Sequence, residues 1–245
     1  MRFAAVAAIL IAFFSCAHGV QASQLRVIEF GDHPDPNTGT PKIMQASRPW
    51  PSDVPALLAE VQDVTGRPNS VYDMRHAALA ADAAEQLEET NVRVLQVSPA
   101  GARVIVRMES APTTVEAFVP QHGTVVIGSD SVDEHHAYVA VSLLGDDLSH
   151  EVFSTREPGL TAPVKISGAL PAATATAIEH QLRGVVVESE IDTNGDVVAA
   201  RVLGHLSTAD KRNVEETIRT WKFRPATRNG MPVAVLTNLT VEYAR

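Results

Sequence analysis

The stretch TWKFRPATRNGMPV, from Thr220 to Val233, decides the fold of the last third of the chain. Trp221 and Phe223 are two residues apart, so both side chains point to the same face of an extended segment. Pro225 prevents a helix from continuing, and Asn229-Gly230 favours a reversal of the chain. The stretch therefore predicts a helix that ends at Trp221, a corner of buried aromatic side chains, and a turn into a closing strand.

The segments around this stretch predict two helices and three strands. Asn194-Gly195 stands between two alternating strands and favours a type I′ hairpin turn, because both residues tolerate positive φ. Val214, Ile218 and Trp221 follow helical spacing and predict one buried face. The predicted elements are a helix from Pro171 to about Leu182, strands GVVVESEI and VVAARVLG, a helix from about Ala209 to Trp221 capped by Ser207 or Thr208, and a last strand PVAVLTNLTVEY.

Together these features resemble the C-terminal domain of the TonB family, whose members link the bacterial inner membrane to outer-membrane transporters. The resemblance covers about the last third of the chain and rests on the order and spacing of its motifs. It implies an α+β fold in which two helices pack on a three-stranded antiparallel sheet. The residues that carry it are Leu170-Pro171, Gly184, Ile191, Asn194-Gly195, Val197, Trp221, Phe223, Pro225-Ala226, Gly230, Pro232-Val233 and Tyr243.

The resemblance also implies where a partner binds. In the best-known members, the TonB box of a transporter adds as a strand to the exposed edge of the last strand, with main-chain hydrogen bonds giving affinity. The first candidate residues, on the matching strand, are Val233, Val235, Thr237, Leu239 and Val241. The second candidates are Gly168, Ala169, Leu170 and Pro171, where Leu170 replaces the Tyr that is usual in the family. Asn194, Gly195, Trp221, Phe223, Pro225 and Gly230 are assigned structural roles.

The chain before this domain is predicted to form a separate small α+β region. Pro and Gly recur between Leu25 and Ser52, which interrupts regular structure except for a short strand LRVIEF. A helix capped by Asp53 and an Ala-rich helix over 71–90 are followed by five strands. The apolar stripe of the Ala-rich helix is Met74, Ala77, Ala78, Ala81, Ala84 and Leu87. The predicted divisions are 1–22 as signal peptide, 23–52 as Pro/Gly-rich coil, 53–160 as the α+β region and 161–245 as the TonB-like domain.

The first residues indicate export to the periplasm. Arg2, an apolar run to Phe14 and the small-x-small pattern Val20-Gln21-Ala22 have the layout of a cleaved secretory signal. Two alternatives are an uncleaved inner-membrane anchor, for which the apolar run is short, and lipidation at Cys16. Cys16 is the only cysteine in the chain, so cleavage before Ser23 leaves a protein without disulfides.

Composition and motifs argue against nucleic acid and against catalysis. A net charge of -9 gives no general attraction to phosphate backbones. The chain lacks a Gly-x-Ser-x-Gly elbow and a Ser-x-x-Lys element, and DHPDP at 32–36 and DTNGD at 192–196 read better as turns than as cation sites. We therefore expect no catalytic residues, no metal and no cofactor. The densest group of ligand-type residues, whose spacing fits no standard site, is Asp133, Glu134, His135, His136, Asp146, Asp147 and His150.

Three functions remain open from the sequence. The first is a periplasmic binding module that takes an extended peptide of an envelope protein, such as an outer-membrane transporter. The second is a membrane-anchored energy transducer to outer-membrane transporters. The third is a structural envelope protein that self-associates, forming a homodimer through the last strand.

The position of the mature N-terminus separates the first two functions. We expect N-terminal sequencing and intact mass after cell fractionation to give Ser23 as the first residue of a periplasmic protein. Retention of Met1 in the inner membrane would contradict this expectation and favour the energy transducer.

Overall fold

A computed structural model of the protein describes residues 22–32, 50–66, 69–88, 90–109, 114–130, 136–149, 151–179, 181–204 and 206–244. The predicted signal peptide up to residue 21, including Cys16, and most of the Pro/Gly-rich segment therefore lie outside the described residues. The chain divides into two compact units, Met1–Asp147 and Leu148–Arg245. The molecule mixes α and β structure, and most of its elements are strands. None of the helices among the described residues has the length and apolar character needed to cross a membrane.

The described residues of the first unit form two four-stranded antiparallel sheets and one helix. One sheet has the order β2-β1-β8-β7, and the other has the order β3-β4-β5-β6. The elements are β1 (Gln24–Asp32), α1 (Val54–Thr65), β2 (Asn69–Ala78), β3 (Ala84–Gln86), β4 (Thr90–Ser98), β5 (Gly101–Met108), β6 (Thr114–Pro120), β7 (Thr124–Asp130) and β8 (His136–Leu144).

Alternation along the central strand β1 explains this layering. Leu25 and Val27 are fully buried in a core shared with apolar residues of the second sheet. Phe30, on the opposite face of β1, is also fully buried and stacks on Tyr138 with ring centroids 5.4 Å apart. The helix begins after the predicted cap at Asp53, whose carboxylate accepts a hydrogen bond from the Ala56 N–H at 2.8 Å.

The Ala-rich helix predicted over 71–90 is wrong. Residues 69–78 form β2, which pairs with β1 along its length, and the chain then turns at Asp82 with φ 65°. Met74 and Leu87 are buried, but three other residues of the predicted stripe are exposed, namely Ala78, Ala81 and Ala84. Pairing with a buried strand has overridden local helix propensity.

The second unit is built on one six-stranded sheet, which is larger than the three strands expected. Its centre is β12, which pairs antiparallel with β13 on one side and with β16 on the other. The elements are β9 (Val152–Ser154), β10 (Leu160–Thr161), β11 (Val164–Ser167), α2 (Ala175–Glu179), β12 (Gly184–Ile191), β13 (Val197–Leu203), α3 (Thr208–Ile218), β14 (Lys222–Arg224), β15 (Ala226–Arg228) and β16 (Met231–Glu242). Because β9 pairs in parallel with β16, this unit begins before the boundary predicted at residue 160.

The first predicted helix of this unit is shorter than expected. It covers Ala175–Glu179, and the Thr174 hydroxyl accepts a hydrogen bond from the Ala177 N–H at 3.1 Å. The preceding residues, predicted to be helical from Pro171, instead form a parallel bridge to the end of the chain between Ala172 and Ala244. Bonding to the last strand has replaced the first helical turn.

The type I′ turn predicted at Asn194-Gly195 occurs at the other Asn-Gly pair. The β12–β13 hairpin is present, but only Gly195 has a positive φ there. The Asp192 carboxylate accepts hydrogen bonds from the N–H groups of Asn194 and Asp196, at 2.9 and 2.8 Å. Asp192 therefore organises a longer turn around its own side chain, as Asp often does.

The Asn229-Gly230 pair joins β15 to β16 through a two-residue loop between Arg228 and Met231. Both loop residues have positive φ, 54° for Asn229 and 82° for Gly230, as a type I′ turn requires. The reversal of the chain predicted at this pair is confirmed.

Two glycines with the same φ of 82° allow a matched test of these turns. A Cβ on Gly230 would meet open space, whereas a Cβ on Gly195 would overlap the carbonyl oxygen of Phe223. We expect Gly230→Ala to lower the free energy of unfolding by about 1–2 kcal/mol, and Gly195→Ala by about 3 kcal/mol or more, in urea unfolding. A loss for Gly195→Ala no larger than that for Gly230→Ala would contradict the turn geometry.

Candidate functional site

The aromatic corner predicted from the opening stretch lies in the hydrophobic core of the second unit. Trp221 follows helix α3 and is 5% exposed, and Phe223 lies beside it with ring centroids 6.3 Å apart. The Trp221 indole N–H donates to the carbonyl of Ala169 at 2.6 Å. The ammonium nitrogen of Lys165 lies 3.1 Å from the indole ring centroid. The ring therefore ties β11 and the segment before α2 to the end of α3.

Gly168 packs directly against the indole ring of Trp221. Its φ is 126°, and a Cβ at this position would overlap the indole of Trp221. The Pro171 carbonyl, three residues further on, accepts a hydrogen bond from the Ala244 N–H at 2.8 Å. The structure thus brings Pro171, the last residue of the second predicted site segment, to the end of the last strand, and Leu170 before it is exposed.

The backbone of β16 presents alternate residues to opposite sides. The Tyr243 N–H donates to Arg183, at the β12 side, and the Ala244 N–H donates to Pro171, at the other side. The β12–β16 register runs without interruption from Ile191↔Val235 to Gly184↔Glu242. Odd-numbered residues in this range therefore bond to β12, and even-numbered residues point to the outer edge.

The outer edge of β16 is covered at both ends and open between them. At one end, β9 pairs in parallel with Ala234–Leu236, and the Thr155 N–H reaches the Leu236 carbonyl at 3.4 Å. At the other end lies Pro171. Within the part of the chain that the structure describes, no strand pairs with the outer side between these points. The N–H and C=O groups left open belong to Asn238, Thr240 and Glu242.

One known protein family matches part of the second unit. Residues 175–244 match the family described as Gram-negative bacterial TonB protein C-terminal. The resemblance expected from the sequence is confirmed for the last third of the chain. Neither the curated proteins nor the solved structures gave a match. The matched TonB-type residues include β12, β13, α3 and β16, while β9, β10 and β11 precede them.

The five residues predicted on the last strand alternate along it, and all of them except Thr237 have side chains in the core or packed against it. Val235 and Val241 are buried, and Val233 and Leu239 pack against the same core. From Val235 onward their backbone groups point to β12, and Thr237 lies near Thr155, with 3.3 Å between the two hydroxyl oxygens.

Sequence reasoning missed the three residues whose backbone groups are open. Asn238, Thr240 and Glu242 are exposed and alternate with apolar residues. This polar alternation was the available signal, because residues of a half-buried strand that face solvent are polar.

The two acidic residues near the open edge differ in exposure and in ion pairing. Glu188, across from Asn238 on β12, is 5% exposed and bonds to the Arg201 guanidinium at 2.6 Å. Glu242 has no ion pair among the described residues, and the residue across from it is Gly184. Burial lowers the pKa of Lys165 beside the indole, and burial raises the pKa of the Tyr243 hydroxyl.

Most of the metal-ligand candidates lie outside the described residues. No group of three His, Cys, Asp or Glu side chains suited to a metal ion occurs within those ranges. The cluster residues at 133–135 and 150 and the DHPDP residues at 33–36 lie outside them. The Asp192 carboxylate is engaged by backbone N–H groups of its own turn.

The indole hydrogen bond gives a test of the corner. We expect Trp221→Phe, which removes the donor to Ala169 and weakens the contact with Lys165, to lower the free energy of unfolding by about 1–3 kcal/mol. Amide hydrogen exchange at Ala244 should also become faster, because its acceptor Pro171 is held through this corner. Unchanged stability together with unchanged exchange at Ala244 would contradict the anchoring role of Trp221. Lys165→Met is the matched variant that removes the cation and keeps the indole N–H.

Proposed function

We propose that this is an exported envelope protein whose C-terminal domain binds an extended peptide of an envelope partner by strand addition. The family match supports a TonB-like envelope protein that acts through protein–protein interaction. The proposed binding edge is the outer side of β16 from Asn238 to Glu242. We propose the periplasm as its location, from the signal-like residues 1–22.

The observation that carries this proposal is the open backbone of β16. Three alternate residues each offer one N–H and one C=O, in the geometry of a strand already held rigid by β12. An incoming strand can satisfy all six groups, and such main-chain bonds supply the affinity in strand addition. Selectivity then comes from alternate side chains on the two faces.

Other edges of the same unit carry protective features. At the edge strand β13, the Val202 N–H donates to the Glu215 carboxylate at 2.9 Å, so a side chain occupies part of that edge. The strands β10 and β11 are short and are separated by Pro163. Short strands and Pro are common ways to protect an edge from pairing. The open part of β16 has neither feature.

The matched family supports an interaction role and not a catalytic one. Strand addition needs no titratable group, since the partner is held by backbone groups and packing. Pairing with a second copy of the chain uses the same backbone groups, and it is therefore the competing occupant of the edge.

A proline at Thr240 tests the binding edge. Thr240 directs its N–H outward, so Thr240→Pro removes a donor from the open edge without removing a bond to β12. We expect a photo-reactive residue at Asn238 to cross-link an extended segment of an envelope protein in cells. We expect Thr240→Pro to reduce that product about tenfold or more, and Thr240→Ala, which keeps the N–H, to leave it within about twofold.

The outcome depends on the variant being folded, which circular dichroism and urea unfolding establish. Unchanged cross-linking by a folded Thr240→Pro variant would refute strand addition at this edge. A cross-linked product of twice the chain mass with no other partner would instead favour self-association.

A further inference from the structure

The outer edge of β16 already holds one added strand, supplied by the chain itself. Strand β9 precedes the matched TonB-type residues and pairs in parallel with Ala234–Leu236. Its central residue, Phe153, is 2% exposed, belongs to the core, and has the Arg228 guanidinium 4.8 Å from its ring centroid. Val152 and Ser154 are each 7% exposed. This strand is therefore a packed part of the unit.

The packed strand limits how far a partner can extend. A peptide that continued past Thr237 would have to displace β9 and expose Phe153. The further backbone hydrogen bonds of the peptide would only replace those that β9 already makes, and the burial of Phe153 and Val152 would be lost. At the other end, the Pro171 carbonyl already holds the Ala244 N–H. The opening between these limits is the length of residues 238–242.

The two faces of this opening differ. On the core face, the neighbours of an added strand are Leu239 and Val241, which pack against the core. On the other face, its neighbours are the exposed side chains of Asn238, Thr240 and Glu242. An added strand thus meets apolar groups at alternate positions and polar groups at the others.

Glu242 gives the opening a local negative charge. Residues 1–147 contain 18 acidic and 9 basic side chains, and residues 148–245 contain 11 of each, so the second unit is formally neutral. Against this neutral background Glu242 is exposed, faces Gly184 across the ladder, and has no ion pair among the described residues. A cationic side chain on an added strand would complement it.

We propose that the opening accepts an extended segment of five residues with apolar side chains toward Leu239 and Val241 and a basic side chain beside Glu242. This inference rests on the proposed strand addition and adds the length and the charge of the partner.

Two symmetric peptides test the proposal without assuming a strand direction. In Lys-Val-Thr-Val-Lys, either orientation places a Lys beside Glu242 and the Val residues beside Leu239 and Val241. The matched peptide is Glu-Val-Thr-Val-Glu. Each is titrated to millimolar concentration into the full chain, and the amide resonances of β16 are followed by NMR. We expect the lysine peptide to shift Asn238, Thr240 and Glu242 and to bind about fivefold more tightly than the glutamate peptide.

A charge-matched pair of variants and a longer peptide complete the test. Glu242→Gln should bring the two peptides within about twofold of each other, and Glu216→Gln, at an exposed position on α3, should leave their ratio unchanged. A nine-residue peptide of the same alternating pattern should bind within about threefold of the five-residue peptide, because β9 blocks its extension.

The outcomes separate this inference from the proposed function. Equal binding of both peptides, with shifts at Asn238 and Thr240, would overturn the charge assignment and leave strand addition standing. A gain of tenfold or more for the nine-residue peptide would overturn the length limit. No shift at β16 with either peptide at millimolar concentration would overturn this inference together with the proposed function.

Discussion

The alternating backbone of β16 is the constraint on which the C-terminal unit depends. Each residue of an extended strand can satisfy its N–H and C=O groups on one side only. On the inner side, β12 pairs with this strand from Val235 to Glu242. On the outer side, the same requirement is met by β15 and β9 at one end and by Pro171 at the other. The open segment between them is what remains when these four partners have been placed.

The limits of that open segment depend on parts of the chain distant in sequence. Trp221 fixes Ala169 through its indole N–H, and Gly168 leaves room for the ring, so Pro171 is placed at the end of β16. Phe153 buries its ring in the core and so holds β9 at the other end. The hydrophobic corner and the open edge are therefore linked through backbone position, although the corner contributes no side chain to the edge.

Local sequence signals predicted the structure correctly where it depends on a few neighbouring residues. Asp53 begins a helix and Asn229-Gly230 reverses the chain, because cap and turn preferences are properties of a few residues. The local signals gave wrong predictions where the structure depends on pairing with a strand that is distant in sequence. The first part of the Ala-rich segment, up to Ala78, belongs to β2 because it pairs with β1. Strand β9 pairs with β16, about 80 residues further along the chain. The alternate polar residues Asn238, Thr240 and Glu242 indicate which side chains of β16 face solvent. Which part of its edge is open depends on β9 and Pro171.

The most direct measurement of the central claim is residue-resolved amide hydrogen exchange of the free chain along β16. An open outer edge predicts an alternating pattern. The N–H groups of Leu239 and Val241, bonded to β12, exchange slowly, and those of Asn238, Thr240 and Glu242 exchange fast. Slow exchange at all five positions would show that the outer edge is already paired and would contradict the account.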